Sequence, residues 1–332
     1  MKTRPLLILL CAAIACAAVR HSPKRPVRAP ARPPFTVEDV QNATQNDPLG
    51  QPGSGPRVMR AQILLDRARF SPGEIDAQYG EDLAIAVKGF QQNHGQAPSG
   101  TIDAATWDLL NQDTQPLFTN YTITAADVRG PFAPVPKDIH ARARLKWLGY
   151  ESAEEELGEK FHVAPKLLAQ LNPGKTLAAA GEQIVVPNVQ RPPARPAARV
   201  VVSASQRTVT ALAADGSVLA QYPATMGGPH DPLPIGNWTI ASVSHNPYFF
   251  YQPGRFWNAD PHDAKDKLPP GPNNPVGVVW MGLSKRHFGI HGTPDPGHIR
   301  HGESYGCIRL TNWDALDLSH MVRRGMPAIL EE

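Results

Sequence analysis

Cys307 stands in the run Ser304-Tyr305-Gly306-Cys307-Ile308-Arg309, downstream of Ile290-His291-Gly292-Thr293. A thiol with an imidazole beside it is a competent nucleophile, because the base can take the proton as sulfur attacks a carbonyl carbon. Gly306 removes a side chain where that carbonyl must approach. It also leaves the N–H groups from Tyr305 to Cys307 available to a developing oxyanion. In an extended segment Cys307 and Arg309 share a face, which brings a guanidinium near the sulfur, suited to a substrate carboxylate. Acyl transfer through a thioester is the chemistry these types and spacings could perform.

A lone cysteine ahead of a strand is more often core than catalytic; the combination with His291, Gly306 and Arg309 argues for reactivity. Of three cysteines, Cys11 and Cys16 lie in a stretch that reads as an export signal, so Cys307 has no disulfide partner in the mature chain. His287, His291, His298 and His301 with Cys307 show no tight zinc-finger spacing, and the chemistry calls for neither metal nor organic cofactor.

The elements that must hold these groups are extended. From Ala198 the apolar period becomes two, in Arg199–Ser203, Thr208–Leu212 and Val218–Ala224, with Asp215-Gly216 as a hairpin turn. Val276–Leu283 and His287–His291 continue the pattern. An all-β domain over residues 198–332, mostly a β-sandwich, is predicted, with a proline-rich loop from Asn246 to Pro275 of the length that covers or builds a site. Tyr248, Phe249, Phe250, Tyr251 and Trp257 in that loop suit either substrate stacking or loop core.

Upstream, helical spacing marks Ala61, Leu64, Leu65 and Ala68, then Leu83, Ala86, Val87 and Phe90, then Ala105, Leu109 and Leu110. Ser71-Pro72-Gly73 closes the first helix and Thr101-Ile102-Asp103 caps the third. A small three-helix domain over 57–115 follows. In residues 120–190, Ser152 and Glu155 predict a capping box, Pro165 a helix start and Asn172-Pro173-Gly174 its end. Tyr121-Thr122-Ile123 and Gln183–Asn188 read as strands. The fold class is thus multidomain α+β. The 35 prolines cluster in Pro23–Pro56, Pro187–Pro196 and Pro269–Pro275, predicting a disordered spacer over 20–56, a linker over 191–197 and one loop.

Residues 1–19 carry a basic start and a short apolar run, an export signal rather than a permanent span. Ala13-Ile14-Ala15-Cys16 loosely resembles a lipobox without its large aliphatic residue, so membrane attachment is expected only if Cys16 is lipidated. A net charge of +3 with no basic stripe excludes nucleic acid as a partner.

Ile290–Thr293 with Ser304–Asp314, together with Met226-Gly227-Gly228 and Leu233–Trp238, resembles the signature of L,D-transpeptidases of the YkuD type over about 130 residues. The helical segment, in Ile75–Gly80, Val87–Gln91 and Ile102–Trp107, is similar to a peptidoglycan-binding domain, with Ala77 where a glycine is usual. The 120–190 segment resembles a LysM module, a β-α-α-β glycan binder, here with Gly130–Tyr150 inserted.

The resemblance implies Cys307 as acyl-enzyme nucleophile and His291 as general base and acid, its second ring nitrogen held by a backbone carbonyl near Gly292. Gly292, Ser304, Tyr305, Gly306, Arg309 and Asn312 would bind substrate or support the site. The family commonly carries histidine where Tyr305 stands, which puts rate or substrate choice in question, with His301 as a candidate substitute. The implied protein is exported to the periplasm or cell envelope. It takes stem tetrapeptides of peptidoglycan as donors, releases D-alanine, and passes the acyl group to an amine of another stem, a D-amino acid or a wall-anchored protein. Two other readings are a wall-binding scaffold with a weakened catalytic domain and an L,D-carboxypeptidase in which water resolves the thioester.

Overall fold

The structure is a computed structural model that describes residues 35–332; the expected signal and the Cys16 motif lie outside them. Helices α1 (Val37–Gln41), α2 (Pro56–Arg67), α3 (Glu81–Asn93) and α4 (Ala104–Leu110) form the first module. Asp103 caps α4 by accepting the Thr106 N–H, as its spacing predicts. Three buried faces agree with the periodicity, but Ala68 and Ala105 are exposed, and Trp107 and Leu110 carry the α4 contact. The predicted spacer is corrected here from residue 35 onward. Phe35 and Val40 join the helical core, a Thr36 capping box opens α1, and Leu49 exchanges both backbone hydrogen bonds with Ile102. Two apolar side chains and that short pairing hold the proline-rich segment down.

The middle module pairs β1 (Phe118–Thr122) antiparallel with β2 (Gln183–Pro187), around α6 (Ala153–Lys160) and α7 (Pro165–Leu171). Ser152 accepts the Glu155 N–H, half of the predicted capping box, while the Glu155 carboxylate takes the Glu151 N–H instead; Pro165 opens α7 as predicted. The inserted segment carries α5 (Ile139–Ala143) and packs away from this core, Leu148 forming a separate apolar cluster with Tyr251 and Leu268.

The third module departs from the predicted β-sandwich. Its strands are β3 (Arg199–Ser203), β4 (Thr208–Leu212), β5 (Val218–Pro223), β6 (Gly236–His245), the hairpin pair β7 (Phe249–Tyr251) and β8 (Asp266–Leu268), β9 (Val279–Leu283), β10 (Gly289–His291) and β11 (Ile308–Arg309). Helix α8 (Asn312–Ser319) and β12 (Pro327–Glu331) complete it. Eight strands form one mixed sheet in the order β11-β10-β9-β6-β12-β3-β4-β5. The last strand decides this: α8 carries the chain over so that β12 inserts between β6 and β3, parallel to β3. Periodicity of two reports a strand but not its partners, so one curled sheet and two facing sheets read alike. An irregularity between Ile240 and Ser242 bends β6 where it changes neighbours.

The modules are joined by backbone and charge. Ser71 donates to the Gln221 carbonyl and Gln221 to that of Arg69, so the helical module covers the free edge of β5. Ile75 and His162–Ala164 make a similar pairing with the middle module. The predicted linker is pinned as well: Arg191 bridges Asp66, Asp314 and Asp317 at 2.6, 3.2 and 2.9 Å. Arg69 also pairs with Asp317, at 3.1 Å.

Candidate active site

Strands β10 and β11 run parallel, Ile290 opposite Ile308 and His291 opposite Arg309. Paired residues point to the same face and successive ones alternate. His291, Arg309 and Cys307, two residues before Arg309, therefore share one face. His291 and Cys307 are diagonal neighbours, a relation that sets Cα atoms roughly 7–8 Å apart, within side-chain reach. Exposure repeats the alternation: Tyr305, Cys307 and Arg309 are half-buried, while Ser304, Gly306, Ile308 and Leu310 are buried.

The turn ahead of Cys307 is held on several sides. Thr225 exchanges both backbone hydrogen bonds with Arg309, at 3.0 and 2.8 Å, and the Met226 carbonyl accepts from Ser304 N–H at 2.9 Å. The Ser304 hydroxyl donates to the Cys307 carbonyl. Gly306 has φ +88°, and a Cβ there would lie 2.7 Å from the Phe288 ring. Both facts restrict the position to glycine. Among the described residues, the N–H groups of Tyr305, Gly306 and Cys307 have no protein acceptor.

His291 is 3% exposed and stacks on Trp280, its partner across β9, with centroids 5.5 Å apart. Its Nδ1 lies 2.7 Å from the Gly292 carbonyl. A carbonyl only accepts, so Nδ1 carries the hydrogen and Nε2 presents its lone pair. Burial first, then the Arg309 charge, push the imidazole down to about 3, and the Gly292 bond opposes them only partly. Burial pushes the Cys307 thiol up, against the Gly289 N–H and Arg309, which favour the anion. The resting pair is a neutral thiol and a neutral imidazole. Burial also lowers the Arg309 pKa, and its guanidinium has no ion-pair partner among the described residues.

The remaining predicted residues divide. Tyr305 donates to Asn258 at 2.8 Å and meets the Phe256 ring edge-on at 4.7 Å, tying the long loop across this edge of the site. Tyr248, Phe250 and Trp257 of that loop are 50–62% exposed, whereas Tyr251 is buried. Asn312 is fully buried, its carboxamide oxygen packed against Gly277 and Gly292. His301, with Pro296 and Gly297, lines a small cavity against Glu74 and Asp82 of the helical module, and neither Cys307 nor His291 is among its lining residues. Sequence reasoning missed Trp280, Asn258 and Thr225. An aromatic in a strand paired with His291 could have flagged the first; nothing local marks the other two.

A thiol before a parallel strand and an anchored imidazole on the neighbouring strand sit on one mixed sheet, and the L,D-transpeptidase catalytic domain family matches residues 197–330. A peptidoglycan binding domain matches residues 54–110. The YkuD L,D-transpeptidase of Bacillus licheniformis is 30% identical over 52% of this chain and 88% of its own length. That of Bacillus subtilis is 30% identical over 50% of this chain and 85% of its own. L,D-transpeptidase 3 of Mycobacterium tuberculosis, a solved structure, is 21% identical over 46% of this chain and 76% of that one, with a TM-score of 0.34. The chain belongs to the YkuD L,D-transpeptidase family and acts in peptidoglycan metabolism.

Proposed function

We propose that this chain is an exported L,D-transpeptidase that works through a Cys307 thioester. His291 Nε2 takes the thiol proton as sulfur attacks the carbonyl carbon of the third residue of a stem tetrapeptide. The oxyanion is held by the free N–H groups of the Tyr305–Cys307 turn. Collapse breaks the peptide bond, and the imidazolium gives its proton to the departing D-alanine amine. An acceptor amine then attacks the thioester, its proton passes to His291, and the thiol is restored. Throughout, Nδ1–H stays on the Gly292 carbonyl. Arg309, an unpaired cation two residues from the nucleophile on the same face, is the group for a stem carboxylate.

The observation that carries this reading is the His291–Gly292 bond of 2.7 Å on the face that bears Cys307. It supplies a correctly tautomerised base without a third side chain. Tyr305 bears on the scaffold alternative: its hydroxyl is engaged by Asn258, so it braces a loop while the base is supplied elsewhere.

Mass spectrometry of the intact protein after exposure to a carbapenem tests the chemistry. One adduct per chain is expected, lost in Cys307→Ala; an adduct of equal yield in that variant rejects the assignment. Muropeptide analysis then separates transfer, which accumulates cross-linked stems, from hydrolysis, which leaves them only shortened.

A further inference from the structure

The middle module reaches the base from below. Asn312, the first residue of α8, sends Nδ2 to Glu159 Oε2 at 2.9 Å and to the Pro272 carbonyl at 3.2 Å. Its Oδ1 accepts the Val278 N–H at 3.1 Å. Cβ atoms built on Gly277 and Gly292 would lie 2.0 and 2.2 Å from that oxygen, so the carboxamide fills the space both glycines leave. The Gly292 carbonyl in turn holds His291. An amide can be seated two ways, and here only one is tolerated: acceptors on one side draw Nδ2, leaving Oδ1 for the Val278 donor. Glu159 supplies the stronger of those acceptors, and Tyr150 steadies its other oxygen at 2.8 Å.

We propose that Glu159, on α6 of the middle module, is a positioning residue for His291, acting through Asn312 and Gly292. This rests on the reading of His291 as the base. The middle module is thereby part of the catalytic apparatus as well as a candidate wall binder, since the Glu159 carboxyl group sets the seat on which the imidazole's carbonyl partner rests. Loss of that acceptor frees the carboxamide to turn. Donor would then meet donor at Val278, and Gly292 would shift by tenths of an ångström, enough to misdirect Nε2.

The test compares wild type, Glu159→Leu, Glu159→Gln and Glu159→Asp in the full chain, with a carbapenem as acylating probe. The acylation rate constant and the reversible binding constant are measured separately. In the leucine variant, acylation is expected to slow about tenfold, with binding altered less than about twofold. Glutamine, whose carbonyl can still accept from Asn312, should recover most of the loss. Aspartate retracts the acceptor by one methylene and should fall between. It decides the matter if the leucine variant does not fold. Wild-type acylation in a folded leucine variant, or in the aspartate variant where leucine does not fold, overturns the proposal. So does a loss confined to binding, or a glutamine variant no better than leucine. Cys307→Ala separates the two claims: an adduct there sinks the reading of the site, whereas its absence beside unaffected Glu159 variants sinks only the positioning role.

Discussion

Cys307 and His291 rest uncharged. Burial disfavours both the thiolate and the imidazolium, and the nearby Arg309 further opposes the second. The site therefore does not store a preformed ion pair, and on the proposed mechanism the proton would move only once substrate is in place. Alkylation of Cys307 by iodoacetamide should accordingly be slow at neutral pH and climb as the raised thiol pKa is approached. No inflection is expected near the ordinary histidine value of about 6.5, because His291 is already neutral there. A rate plateau extending below pH 7 would show instead that thiolate and imidazolium coexist in the free protein.

The insertion between β1 and α6 is fastened to the loop beside the active site. His140 on α5 faces Asp266 at 2.9 Å and Asp263 at 2.7 Å, and Tyr251 also donates to Asp263. Hydrogen bonds donated to Asp266 and then Asp263 raise the His140 pKa. A raised folded pKa means the fastening contributes fully below about pH 6.5 and is lost as pH climbs through the raised value. Hydrogen exchange of residues 260–268 should therefore quicken on going from pH 6 to pH 8.5, beyond the intrinsic acceleration. His140→Ala should abolish that excess while leaving β9 and β10 protected. Because Tyr305 holds the same loop through Asn258, the pH response is expected to reach the mouth of the site.

Across the molecule, the helical module and the catalytic sheet share one buried charge cluster. Asp66 from α2, Asp314 and Asp317 from α8, and Arg191 from the connecting segment meet where Asp66 and Asp314 side chains are wholly buried. Burial by itself would raise Asp66, but Arg191 and then His162 bring it down to about 2. Such a cluster adds little relative to apolar packing, yet removing one partner strands the others. Arg191→Met should cost roughly 3–5 kcal/mol, read as a lower transition temperature in calorimetry, with the helical module melting ahead of the sheet. An unchanged single transition would mean that the backbone pairings at Gln221 and Ile75 carry the joint alone. The modules thus hold a set geometry, so that, on the proposed function, a wall strand bound by one would meet the cleft at a defined offset. Flexible tethering would only have raised its local concentration.

What one segment does for itself was legible in the chain. Cys307 and Arg309 declare their shared face by alternation. Ser152, Asp103 and Pro165 mark helix starts because capping satisfies donors within a few residues of the same stretch. His291 was marked out as the candidate base by resemblance to the family signature, but its placement needed the β10–β11 register, which brings together strands whose pairing local preference does not specify. The same holds for β12 entering mid-sheet, for the ordered stretch after Phe35, for Arg191 turning a linker into a joint, and for Glu159 beneath Asn312. Each depends on groups far apart in the chain, whose contact follows from burying apolar faces together and from the need of every buried charge or amide for a partner. Those demands are met only when the whole fold closes.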